Sequence, residues 1–72
     1  LQKAFNMRFI FDRAVIVFHK NGSHVHRRFS FDAGTVIRRI GSDGIYDTFS
    51  TRKGILEIPH DLVSAYHLRE IP

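Results

Sequence analysis

The stretch "FHKNGSHVHRRFSF", residues 18–31, gathers His19, His24 and His26 beside Arg27 and Arg28. Imidazoles of this kind can hold zinc at about 2 Å, and guanidinium groups take phosphate or carboxylate oxygens in two-pronged hydrogen bonds. The spacing weighs against the metal. On a strand, His24 and His26 share a face but stand about 6.6–7 Å apart along it. A hairpin centred on Asn21-Gly22 sets His19 opposite His24, and no carboxylate joins them. Solvated histidines explain this pattern, and no metal site is assigned.

The arginines carry more. Three basic doublets, Arg27-Arg28, Arg38-Arg39 and Arg52-Lys53, sit on three separate segments. A doublet in a strand splits across two faces, so each must send at least one residue outward. The candidate anion-binding set is therefore Arg28, Arg38, Arg39, Arg52 and Lys53, with His24 and His26 beside them. Eleven Lys/Arg against seven Asp/Glu give a net charge of +4 and a pI near 10.1. That balance suits nucleic acid or an acidic protein surface. Exposed aromatics such as Tyr46 or Phe9 would add stacking to bases. The plainer account is that a small β-protein needs a polar exterior, and arginine on edge strands discourages aggregation.

Catalysis finds no footing. The chain has no cysteine and no Gly-x-Ser-x-Gly elbow, and its seven acids are scattered. A chain of 72 residues also lacks depth for an ordinary substrate pocket. The expectation is a non-enzyme with no cofactor, no metal and no small-molecule substrate. Without an apolar run of membrane-spanning length or a signal-peptide pattern, it is expected to be soluble and cytoplasmic, with no membrane partner.

These side chains must be positioned by strands. Residues 1–6 show no period and are expected to form a disordered tail or the end of a preceding segment, leaving 7–72 as one domain. From Met7 the chain runs "RFIFDRAVIVFH", "HVHRRFSF", "TVIRRI", "IYDTFS" and "ILEI", divided by turns at "KNGS", "DAG", "GSDG" and "TRKG". Short β-runs between Gly-centred turns predict an all-β sandwich or barrel of about five strands. Asn-Gly is a strong signal for a two-residue type I′ turn. That turn pairs His19 with His24, Phe18 with Val25, and Val17 with His26. It predicts a core face of Ala14, Ile16, Phe18, Val25 and Phe29, and an outer face of Val15, Val17, His19, His24, His26 and Arg28. Arg27 then points coreward, which calls for a bulge or for emergence at the sheet edge. An outward Val15/Val17 strip with His26, and with Tyr46 elsewhere, is the alternative site: a protein-interaction or homodimer seam. The tail "IPHDLVSAYHLREIP" reads two ways: Pro59 suits the first turn of a helix with Leu62, Tyr66 and Arg69 on one side, and "VSAYHLREI" alternates almost as well as a strand.

From Phe29 onward the order of segments resembles an SH3-type barrel. "FSFDAGTVIRRI" is similar to that family's "LSFxxGDxIxVL", with two apolar residues entering the core, a Gly turn, and apolar positions at Ile37 and Ile40. "DGIYDTF" is similar to its "DGWW" strand, and "KGILEIPHDLV" to "GxxGLFPSNYV", where Pro opens a 3-10 turn before the last strand. The match covers residues 29–63. The resemblance implies an SH3-like barrel with a 3-10 turn near 59–62. It does not carry over the family's groove for proline-rich peptides: the leading tryptophan is Ile45 here and the tyrosine after the 3-10 turn is Leu62. The family's opening "ALYDY" is likewise missing from "RFIFDRAV", and two extra residues separate Gly54 from Pro59.

Overall fold

The computed structural model describes residues 7–21 and 25–72, with the backbone alone at 19–21 and 25–26. The expected tail at 1–6, the Gly22 turn position and His24 lie outside the described residues. Seven strands and one 3-10 turn follow in order: β1 (Met7–Phe11), β2 (Val15–Asn21), β3 (Val25–Phe31), β4 (Val36–Ser42), β5 (Tyr46–Thr51), β6 (Gly54–Pro59), the 3-10 turn (His60–Leu62) and β7 (Leu68–Ile71). The class is all-β, as the turn-punctuated pattern predicts. The long first run divides at residues 12–14 into β1 and β2, and the tail supplies β7, which raises the strand number from five to seven.

Five strands form one antiparallel sheet in the order β6-β5-β4-β1-β7, and β2 pairs only with β3 in a second sheet. The sheets are not closed into a ring. They pack face to face over Phe9, Phe11, Ile37, Phe49, Leu56, Ile58 and Leu68 from the larger sheet and Val17, Phe29 and Phe31 from the hairpin. Phe11 stacks on Phe31 with centroids 4.9 Å apart, and Phe9 meets Phe49 edge-on at 5.3 Å. Rings in these geometries gain about 0.5–1.5 kcal/mol per pair beyond the area they bury. Phe9 is therefore core, and the expectation of an exposed stacking ring there is corrected.

The hairpin register differs from the predicted one. Val17 pairs with Phe29, Phe18 with Arg28, His19 with Arg27, Lys20 with His26, and Asn21 with Val25. Asn21 is itself a paired strand residue, so the register is not that of a two-residue Asn21-Gly22 turn. The slip is three residues, an odd number, so it turns β2 over relative to β3. Val17 is buried and Val15 packs against the core, whereas Ile16 is 51% and Phe18 60% exposed. Ala14 is exposed as well. The outward Val15/Val17 strip is corrected to an outward Ile16/Phe18 strip. Phe29 faces the core and Arg28 faces out, as expected. Arg27 needs no bulge: it is exposed, with its guanidinium carbon 5.2 Å from the Phe29 ring centroid.

In the larger sheet a register shift between Arg39 and Gly41 leaves Ile40 as the extra residue of a bulge, 41% exposed rather than inward. The 3-10 turn follows Pro59, and β7 returns to pair with β1. No helix among the described residues is long and apolar enough to cross a membrane.

Candidate functional site

Alternation along the central strands sends Phe9, Ile37 and Phe49 inward, and therefore Arg8, Arg38 and Ser50 outward. The registers place Arg8 directly across from Arg38, and Arg38 directly across from Ser50. Arg52 follows in the tight turn between β5 and β6. The three arginines line one shallow groove together with Val36, Ile37, Ser50 and Thr51. No acidic residue lines it.

Two arginines elsewhere are paired with aspartates. Arg69 makes a two-pronged bond to Asp12, Nε to Oδ2 at 3.1 Å and Nη2 to Oδ1 at 3.0 Å. This pairing holds the Asp12 carboxyl below its ordinary range and raises Arg69. Arg39 points inward: its guanidinium lies 3.6 Å from Asp47, reaches the Met7 sulfur and covers the Phe9 ring. By contrast, the guanidinium groups of Arg8, Arg38 and Arg52 have no Asp or Glu partner among the described residues. Arg8 donates to the Pro72 carbonyl, which anchors it beside the C-terminal strand.

Of the predicted anion-binding residues, the structure brings Arg38 and Arg52 together in this groove and leaves Lys53, Arg39 and Arg28 outside it. Lys53 lines a neighbouring groove that Arg52 also borders, and there its ammonium donates to the Ser30 carbonyl and lies 5.4 Å from the Phe31 centroid. Asp32 lines that groove, so the acid-free surface ends there. Arg39 belongs to the interior rather than the face, and is corrected on that ground. Arg28 stands on the other sheet, opposite Phe18. The side chain of His26 lies outside the description, as His24 does entirely. Tyr46 is exposed at the far end of β5. Arg8 escaped the sequence reading because it stands alone in an apolar run, and only cross-strand register links it to Arg38.

A second polar cluster also went unread. Asp47 is wholly buried, and its carboxylate accepts from Ser42 Oγ at 2.8 Å and faces His60 Nδ1 at 3.0 Å. The residue types are those of a hydrolytic triad, but the order is not. Nucleophilic activation needs serine on the imidazole, whereas Ser42 donates to the carboxylate. The arrangement clips the β4–β5 turn to the 3-10 turn. No group of three or more potential metal ligands occurs among the described residues.

Compared with known proteins, the chain matches no family model, no curated protein and no solved structure.

Proposed function

We propose that this chain is a non-catalytic binding module on an SH3-like scaffold, which meets a nucleic acid or similarly anionic partner through the outer face of its five-stranded sheet. The scaffold reading is supported by where the SH3-type segments fall. "FSFDAGTVIRRI" ends β3, turns at Gly34 and forms most of β4; "DGIYDTF" leads through β5; and Pro59 precedes the single 3-10 turn before the last strand. The functional reading rests chiefly on one observation: Arg8, Arg38 and Arg52 share a groove that holds no acid. Such a site gives affinity for phosphates without reading bases. A chain without cysteine suits a reducing compartment, and the cytoplasm is part of this reading.

The test is binding to a generic single-stranded oligonucleotide across a salt series. Three phosphate contacts predict a loss of about 20-fold in affinity between 50 and 200 mM salt. Arg38→Ala and Arg52→Ala should each flatten the log–log slope by about 0.7. Absence of binding at low salt rejects the reading.

A second reading is favoured by the exposed Ile16 and Phe18 on the hairpin, an apolar strip suited to protein contact or self-association. Sedimentation at high concentration tests it. Concentration-dependent dimers abolished by Phe18→Asp support it, and a strict monomer removes the dimer.

A further inference from the structure

The three-arginine groove has an unusual internal balance. Like charges directly across an antiparallel pair are destabilising, yet Arg8 and Arg38 occupy such a pair. Their Cα atoms are therefore about 4.5–5.5 Å apart. Arg52 completes the cluster within the same groove. Arg39 and Arg69, by contrast, are each set against an aspartate. Ser50 and Thr51 border the groove; the Thr51 hydroxyl already donates to the Gly54 carbonyl, which leaves Ser50 as the hydroxyl that can donate to an oxyanion.

We propose that Arg8, Arg38 and Arg52 form a discrete site for one tetrahedral phosphoryl group, and that its occupancy stabilises the fold by relieving repulsion between the arginines. This deepens, and rests on, the reading of the sheet face as anion-binding. A phosphate diester in a nucleic-acid backbone and free inorganic phosphate present the same oxygens. Arg8 and Arg38 border the groove from neighbouring strands and Arg52 from the turn, so an anion seated in it draws on all three once Arg8 exchanges its bond to Pro72. Chloride offers no such multi-point acceptor.

The experiment is thermal unfolding in sodium phosphate and in sodium chloride at equal ionic strength, for the native chain and for Arg8→Gln, Arg38→Gln and Arg13→Gln. Arg13 is exposed in the β1–β2 bend and serves as a control for general charge. Phosphate should raise Tm beyond chloride in the native chain and in the Arg13 variant, and lose that advantage in the other two. At low salt without phosphate, Arg38→Gln should itself raise Tm by about 1–5 °C, because the opposed charges are gone. Equal response to the two salts, or a phosphate response that survives both Arg8→Gln and Arg38→Gln, overturns the site. A parallel titration with oligothymidylate separates this proposal from the broader one. Oligonucleotide binding unaffected by Arg8→Gln and Arg38→Gln defeats the site and leaves the binding module. A phosphate response with no oligonucleotide binding keeps the site, as one for free phosphate, and defeats the nucleic-acid reading.

Discussion

Asp47 carries more of the fold than any other polar residue described. It is buried, and it can remain there only because Ser42, His60 and Arg39 surround its carboxylate. Truncating one partner of such a cluster leaves the rest uncompensated, which costs about 3–5 kcal/mol. A domain of 72 residues has about 4–11 kcal/mol in total, so Asp47→Ala should lose much of its stability. Asp47→Asn keeps an acceptor for Ser42 and should cost less. His60→Ala should cost least, about 1 kcal/mol, because that side chain is more than half exposed. Urea unfolding of the three variants checks the ranking. A native-like midpoint for Asp47→Ala would remove this role.

At the scale of elements the hairpin is the sharpest test, because two registers make opposite forecasts. With Val17 inward and Phe18 outward, Val17→Ala should cost about 2–3 kcal/mol, while Phe18→Ser stays within about 0.5 kcal/mol. The register predicted from the Asn-Gly turn reverses that order, and denaturation midpoints of the two variants decide between them. The difference explains what the chain makes legible. In β3, "VHRRFSF" alternates cleanly at its end, so Phe29 and Phe31 can be assigned inward from residue types alone. In β2, Val15, Ile16, Val17 and Phe18 are apolar on both faces, so turn chemistry was left to choose the register, and packing chose otherwise. The Gly34 turn between β3 and β4, at φ +88°, has a local cause and is legible, whereas the 3-10 turn after Pro59 follows from the order of SH3-type segments rather than from the tail's own spacing. Arg8 beside Arg38, and Ser42 and His60 on Asp47, are products of strand pairing across long sequence separations, and no local spacing announces them.

The molecule as a whole carries an excess of four positive charges, so its response to acid follows from which carboxylates are held ionised. Asp12 is held below its ordinary range by its hydrogen bond from Arg69, which ties the β1–β2 bend to β7. Asp43 is held down by the backbone N–H groups of Tyr46 and Ile45, at 2.7 and 2.8 Å, which close the β4–β5 turn. A depressed folded-state value means that the unfolded chain binds protons first. The stabilisation is complete above the ordinary carboxylate range and is lost as pH falls through the lowered values. Acidification also strips negative charge from a chain that is already basic, so repulsion rises in the same window. Tm should therefore fall steadily below the ordinary aspartate range, and added salt should recover part of the loss by screening. The pair Asp12→Asn with Asp43→Asn isolates the local contribution, since asparagine at 43 still accepts the turn's N–H groups but has no proton to gain. Its Tm should be lower than native at neutral pH and should change less on acidification. A variant whose acid profile runs parallel to the native one would mean that neither carboxylate sets the acid limit, and that repulsion among the arginines sets it instead.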